Sequence, residues 1–130
     1  HAPEMAALAG EASGVHPEID FVPLSGPQAR GIYAAVQGRL VAERGGAGAA
    51  EIAGELAGFY AGRSFVAISG TPPALTEVVG TNRARLGVAC GGGSLAVSSG
   101  AVSIFSQPIA ASISRGVIGV KKGMLSSVWL

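Results

Sequence analysis

Apolar and polar positions alternate along the segment that follows Gly31, and this alternation predicts a strand with one buried and one wet face. The two sides of the repeat are Ile32, Ala34, Val36 and Leu40 on one face and Tyr33, Gln37 and Arg39 on the other. Pro23, Gly26 and Pro27 precede the strand and predict an irregular approach, because proline cannot donate to a ladder and glycine adopts unusual dihedral angles. Arg30 therefore stands at the mouth of the predicted strand.

Helical spacing of apolar residues occurs in two other places. The segment PEMAALAGEA has a proline at a plausible first helical position and an acid in the first turn, which predicts a short helix from about Glu4 to Ala12. After the glycine-rich break at 44–48, apolar residues recur every three or four positions from Ala49 to Tyr60. We expect a second helix there, ending at Gly62 in the usual C-terminal glycine position.

The remaining patterns predict strands. His16 and Val22 each precede a proline, which favours an extended VHPEIDFVPL segment. SFVAIS is typical of a short buried strand, and the glycine turn between Arg85–Cys90 and Ser94–Ser98 predicts an antiparallel hairpin. Residues 102–120 are rich in β-branched side chains without a clean period, and we expect strands there too. Two helices with four or more strands indicate an α+β fold.

The composition is unusual for a single domain of 130 residues. Hydrophobic residues make up 48% of the chain and charged residues only 13%, about half the usual charged share. Such a chain has little charge with which to keep its surface soluble. Either another domain or another copy of the chain covers part of the surface, or the 21 glycines and the other small residues build a core that needs little charge around it.

Charge is distributed unevenly, although the net charge is only +1. All eight acids lie at or before Glu77, and the cations that follow are Arg83, Arg85, Arg115, Lys121 and Lys122. Five scattered cations without interleaved aromatic residues do not make the clustered basic stripe that nucleic-acid binding requires. We therefore expect no nucleic-acid partner, and these cations either serve a small anionic ligand or form a solvated face.

Cys90 is the only cysteine, so neither an intrachain disulfide nor a cysteine-based metal site can form within one chain. A reducing, cytoplasmic setting fits this usage. The uncharged stretch at 86–114 is long enough to cross a bilayer, but glycines, serines and a proline interrupt it. That pattern favours buried hairpin strands, and we expect no membrane span.

Catalytic motifs that can be recognised from spacing alone are missing from the sequence. The histidines, the cysteine and the acids show no metal-ligand spacing, and CGGGSL leads into a strand and not into the helix that a phosphate loop requires. We therefore expect no metal site. Histidine titrates nearest to neutral pH, so His1 and His16 are the default acid/base candidates. The alternatives are that His1 belongs to a disordered terminus and that His16 is an ordinary loop residue held by the following proline.

Five segments together resemble the C-terminal domain of the N-acetyl-gamma-glutamyl-phosphate reductase family. They are HAPEM at 1–5, FVPLSGPQARGIYAAV at 21–36, FYAGRSFVAI at 59–68, VVGTNRARLGV at 78–88 and GGSLAVSS at 92–99. The resemblance implies the fold of the C-terminal domain in glyceraldehyde-phosphate and semialdehyde dehydrogenases, a mixed or antiparallel sheet with helices on one face. It also implies an NADPH-dependent acyl-phosphate reduction in arginine biosynthesis, and a cytoplasmic homo-oligomer.

The resemblance assigns roles to individual residues. It implies that His1 is the catalytic base, that Arg30 with Gly31 is the Arg-Gly pair and binds substrate, and that Gly80–Asn82 is the later Gly-Thr-Asn motif. Arg30 has a structural alternative, a strand-end ion pair with Glu18 or Asp20. The nucleotide-binding domain, its glycine-rich loop and the cysteine nucleophile lie upstream in that family, and Cys90 does not match the nucleophile.

The chain is therefore expected to be one domain over residues 1–130, a fragment or separated half of a two-domain enzyme. It would depend on the missing nucleotide-binding domain as a partner, and NADP would bind mainly to that domain. Residues 100–130 do not match the family pattern. A non-enzymatic, β-rich self-assembling module is the alternative function, because low charge, many small residues and exposed strand edges also suit self-association.

Overall fold

The computed structural model describes residues 2–27, 30–101 and 120–129. Two α-helices and six strands account for most of these residues, together with two short 3-10 turns at Ala42–Arg44 and Leu75–Glu77. In chain order the helices and strands are α1 (Ala2–Ser13), β1 (Ile19–Pro23), β2 (Ile32–Leu40), α2 (Ala49–Phe59), β3 (Val66–Ser69), β4 (Ala84–Gly91), β5 (Ser94–Ala101) and β6 (Val120–Trp129).

The strands form one mixed sheet in the order β1-β6-β2-β5-β4-β3. The four central strands pair antiparallel with one another, whereas each edge strand, β1 or β3, runs parallel to the one strand beside it. The α+β prediction is confirmed, and both forms of pairing are present. Two parallel neighbours need a long connection in the chain. Accordingly, β1 is far from β6 in the sequence, and a long loop connects β3 to β4.

Helix α2 forms the main core with one face of the sheet. Its predicted apolar stripe is confirmed: Ile52 and Leu56 are fully buried, and Tyr60, just past the helix end, is almost so. They pack against sheet residues that include Leu86 and Val97. Burial of each large aliphatic side chain contributes about 1.5–3 kcal/mol, so this contact fixes the helix on the sheet. Gly62, predicted at the C-terminal glycine position, lies two residues past the C-cap residue Tyr60 and turns the chain there with a φ of +78°.

Both helices lie on the same face of the sheet. Phe21 of β1, Val36 of β2 and Val97 of β5 lie in one row across the sheet, with β6 between the first two. Residues of one row face the same side, and Val97 is a core residue beneath α2. Phe21 is half-buried on that face, and α1 packs against β1. The expected arrangement of helices on one face is therefore present.

The predicted hairpin is confirmed and is slightly longer than expected. Gly91 pairs with Ser94, and the two residues between them, Gly92 and Gly93, have φ values of +57° and +73°. Two positive φ angles in a two-residue loop match the twist of the flanking strands, and glycine adopts them without a steric cost. The Leu40 amide donates to the Gly93 carbonyl at 2.9 Å, which ties the end of β2 to this turn.

Two expectations about strands need correction. The SFVAIS segment, expected to be buried, is the half-buried edge strand β3, and Phe65 at its start is 63% exposed because only β4 lies beside it. Strand β6 was not predicted, yet it lies between β1 and β2. Of the strands expected over 102–120, all but Val120 fall outside the described residues.

Candidate functional site

The two motifs of the resemblance meet at one end of the sheet. Ile32, Ala101 and Ala84 form one row across β2, β5 and β4. Arg30 and Gly31 precede the first of these residues, and Asn82 precedes the last by two positions. Strands lie about 4.8 Å apart, so the starts of β2 and β4 are about 10 Å apart with one strand between them. We call this the Gly31 end of the sheet.

A loop covers the sheet face opposite α2 at the Gly31 end. We call residues 71–78 the cover segment. Gly87, Gly100 and Gly31 give it room, since a Cβ on Gly87 would lie 2.7 Å from Pro72 Cα and one on Gly31 would lie 2.7 Å from Leu75 Cδ1. A Cβ on Gly100 would be 3.4 Å from Val78. Glycines within β4 and β5 and just before β2 thus let a backbone segment lie directly on the sheet.

The Gly-Thr-Asn motif forms the turn that leads from the cover segment into β4. Gly80 has a φ of +79°, a conformation that favours glycine. The Thr81 hydroxyl donates to the Val78 carbonyl at 2.7 Å and accepts from the Arg83 amide at 3.1 Å. These bonds add to the backbone hydrogen bond that the Thr81 amide donates to the Val78 carbonyl at 3.0 Å, so Thr81 has a clear structural role here.

An ion pair joins the cover segment to the sheet. Arg85 of β4 donates to Glu77 at 3.0 Å, and the two side chains are 38% and 43% exposed. Val78, the next residue, is fully buried. The pair is therefore a surface contact beside an apolar anchor, and the anchor contributes most of the attachment.

Arg30 is exposed at the mouth of β2. Within the described residues it makes no hydrogen bond or ion pair, and so the alternative pairing with Glu18 or Asp20 does not occur there. Gly31 follows it with a φ of +115°, which a residue with a side chain rarely adopts. The backbone conformation thus explains the glycine of the Arg-Gly pair.

The two candidate histidines have different outcomes. His1 lies outside the described residues, so its role stays a prediction. His16 is exposed, and its ring lies directly against Gly10 near the end of α1. His16 precedes β1, whose first residue Ile19 lies in the same row as Gly38. That row is near the end of the sheet opposite Gly31. The structure therefore does not bring His16 and Arg30 together.

Cys90 is half-buried on the core face, beside Leu95 at the hairpin end of β4. Burial raises the pKa of the Cys90 thiol, and the negative charge of Glu51 raises this pKa further. A raised pKa lowers the fraction of reactive thiolate. Neither its position nor its chemistry suits Cys90 to nucleophilic catalysis at the Gly31 end.

Sequence reasoning missed one charged cluster, which lies away from the Gly31 end. Arg44 holds Glu55 with two hydrogen bonds and Glu51 with one at 3.0 Å. The hydrogen bonds that Arg44 donates to Glu55 raise the pKa of Arg44, and Glu51 adds to this shift. The spacing of the two glutamates at i and i+4 on α2 was the available signal. This cluster fixes the turn at Ala42–Arg44 to α2 and has no free cation to offer a ligand.

No group of three or more acids, histidines or cysteines that could hold a metal ion occurs within the described ranges. Over the same ranges, none of the helices has the length and apolar character needed to cross a membrane.

Comparison with known proteins agrees with this arrangement. Residues 1–102 match the family model for the semialdehyde dehydrogenase dimerisation domain. N-acetyl-gamma-glutamyl-phosphate reductase of Leifsonia xyli subsp. xyli (strain CTCB07) is 34% identical to this chain over 91 residues. That alignment covers 68% of this chain and 25% of the relative, so the chain spans about a quarter of the length of the reductase that it matches.

Proposed function

This chain belongs to the semialdehyde dehydrogenase dimerisation-domain family, and on that premise we propose that it is the substrate-side domain of an N-acetyl-gamma-glutamyl-phosphate reductase. Such an enzyme converts an acyl phosphate to an aldehyde with NADPH. The substrate carries a phosphate and one free carboxylate, which require cations at the site. We further propose a cytoplasmic location, as expected for a biosynthetic enzyme with a single free cysteine in this chain.

The observation that carries this proposal is the state of Arg30. Arg30 is exposed at the Gly31 end of the sheet and makes no ion pair within the described residues. The next residue, Gly31, packs against Leu75 of the cover segment. A guanidinium in that position can donate two parallel hydrogen bonds to a phosphate or carboxylate. Arg30 is thus the proposed substrate-binding residue.

His1 is the proposed base. Its neighbour Ala2 begins α1, a helix of 12 residues and about 18 Å. The end of α1 lies beside His16, before the start of β1, and α1 packs against β1. The helix therefore runs back along the strand, and its first turn is directed toward the Gly31 end. A histidine there would take the proton from a cysteine thiol supplied by the upstream domain. The thiolate would then attack the acyl carbon to form a thioester, and the bond from that carbon to phosphate would break and release inorganic phosphate.

The residues described here do not fit an NADPH phosphate site. Gly92 and Gly93 form a turn between two strands and do not lead into a helix. Gly48 precedes α2, but the 3-10 turn at Ala42–Arg44 separates it from β2. NADPH supplies the hydride in this reaction, and we propose that the nucleotide-binding domain holds it, as the length of the relative allows. This chain contributes substrate contacts and the base.

The test is reconstitution of the enzyme from its two halves. Purified chain is mixed with the nucleotide-binding domain, NADP⁺, inorganic phosphate and N-acetylglutamate semialdehyde. Oxidation of the semialdehyde to the acyl phosphate is followed as phosphate-dependent reduction of NADP⁺ to NADPH. We expect activity only when both parts are present. His1→Gln should abolish it, while His16→Gln, which alters the histidine at the far end of the sheet, should leave it unchanged. Inactivity with a competent partner domain would refute the proposed enzyme function.

We also propose that the chain assembles with a second copy through the uncovered part of the sheet. Beyond the cover segment, the face opposite α2 carries Gln37, Arg39, Ala89, Ser94 and Ala96. All are exposed except the half-buried Ala96, and most have small side chains, so the surface is flat. We call it the open face. The dimerisation named by the matching family supports a second copy as its occupant.

The alternative function, a self-assembling module without enzymatic activity, is supported by the same open face and by the low charge of the chain. Oligomer size does not separate the two functions because both include self-association. Anion binding at Arg30 does separate them, since a module that only assembles has no use for an anion-binding arginine at the Gly31 end. Phosphate binding that depends on Arg30 would favour the enzyme.

A further inference from the structure

Leu75 of the cover segment is in direct contact with Gly31, the residue that follows Arg30. A Cβ on Gly31 would lie 2.7 Å from Leu75 Cδ1 and 3.0 Å from Cδ2. Non-bonded carbon atoms pack at about 3.5–4.0 Å, so the leucine side chain occupies the space that any Cβ at Gly31 would need. Consecutive Cα atoms are about 3.8 Å apart, and this contact therefore acts on the backbone immediately beside Arg30.

Leu75 is itself firmly held. Its carbonyl accepts hydrogen bonds from the amides of Val78 and Val79, both at 3.1 Å. Val78 is fully buried against β5 near Gly100, and Glu77 pairs with Arg85 on β4. The cover segment is thus attached to β4 and β5 and reaches from there to the start of β2.

We propose that Leu75 is a positioning residue, which holds the Arg30 backbone in place so that the guanidinium can bind an anionic group of the substrate. This inference rests on the proposed role of Arg30. A long, exposed arginine without an ion pair in the described residues loses rotational freedom when it binds an anion. A fixed backbone at Arg30 lowers the conformational entropy that is lost when the anion binds. Leu75 therefore affects anion affinity although it carries no charge.

The proposal is tested with inorganic phosphate as the probe and the full 130-residue chain as the protein. Phosphate is titrated while the amide signals of Gly31 and Leu75 are followed by NMR. Arg30→Met should weaken binding by about tenfold or more, the loss expected for a charge-assisted hydrogen bond. Leu75→Ala should weaken it by about threefold to tenfold, a part of the Arg30 effect. Leu75→Met, which keeps the apolar volume, should restore most of the affinity.

Ile52→Val is the control for destabilisation, since Ile52 is fully buried beneath α2 and far from the cover segment. It should lower the melting temperature and leave the phosphate affinity of the folded protein unchanged. Wild-type affinity in Leu75→Ala together with loss in Arg30→Met would overturn the positioning role alone. Absence of phosphate binding by the wild type, or equal binding by Arg30→Met, would overturn the ligand role of Arg30 and this inference with it.

Discussion

Gly87 and Pro72 pack backbone against backbone: a Cβ on Gly87 would lie 2.7 Å from Pro72 Cα. Gly87 is in the middle of β4, where glycine normally weakens a strand, and here its lack of a side chain is what lets the cover segment lie on the sheet. The same strand ends in Gly91, where a Cβ would meet nothing within 4 Å. The two glycines form a matched pair for testing this contact.

Gly87→Ala should destabilise the protein by about 1–3 kcal/mol, because the added methyl group meets backbone atoms that cannot turn aside. Gly91→Ala should change the free energy of unfolding by less than about 0.5 kcal/mol. Urea denaturation of both variants and the wild type measures the difference. Equal stability of the two variants would show that the cover segment does not pack on Gly87.

Arg30→Met should leave the stability of the ligand-free protein within about 0.5 kcal/mol of the wild type, because Arg30 is exposed and makes no ion pair in the described residues. Arg85→Met is the comparison, since Arg85 holds Glu77 at 3.0 Å. That exposed pair contributes about 0–1 kcal/mol. Thermal melts with and without phosphate test both: phosphate should stabilise the wild type and Arg85→Met but not Arg30→Met. A loss of about 3 kcal/mol or more in Arg30→Met would instead indicate a structural ion pair.

Cys90 should make stability fall at alkaline pH. Burial, with a smaller contribution from Glu51, raises the pKa of the folded thiol above that of the unfolded chain. The unfolded state therefore loses its proton first, so the stabilisation is complete below about pH 8.5 and is lost as the pH rises through the folded pKa. Denaturation of the wild type and Cys90→Ser at a series of pH values checks this, and only the difference between their slopes reports on Cys90.

The thiol should also react slowly with iodoacetamide at neutral pH, compared with a cysteine in an unstructured peptide. Glu51→Gln should increase the rate because it removes a charge that raises the pKa. Glu43→Gln, which removes an exposed acid from the 3-10 turn, is the control for net charge. A rate like that of the free peptide would show that Cys90 is not buried in solution.

Ala89→Glu should disrupt self-association if the open face binds a second copy. In a two-fold interface the same patch is present on both partners, so one substitution places two carboxylates in the contact. Ala89 is exposed within the chain, which means that the glutamate can be solvated in the monomer. Ala57→Glu, on the exposed side of α2, is the matched control. Sedimentation velocity should show a monomer only for Ala89→Glu, and an unchanged oligomer would place the interface elsewhere.

The sequence alone was sufficient for elements whose signal is local. The apolar stripe from Ala49 to Tyr60 predicted α2 and its buried face, because apolar residues that recur every three to four positions over 12 residues indicate an amphipathic helix. The glycine pair at Gly92 and Gly93 predicted the hairpin, since few other residues adopt two successive positive φ angles. The five short segments also identified the family, because their order is written in the chain itself.

Only the tertiary structure decided features that depend on contacts between distant segments. The place of β6 between β1 and β2, and of β3 at the edge, follows from pairing across the sheet, which hydropathy does not encode. The contacts of Gly31 and Gly87 with the cover segment join residues more than ten positions apart, so no local pattern announces them. Arg30 itself was visible in the sequence. Only the tertiary structure shows that Arg30 makes no ion pair within the described residues and that Leu75 packs beside it. Both features depend on what surrounds the residue in space.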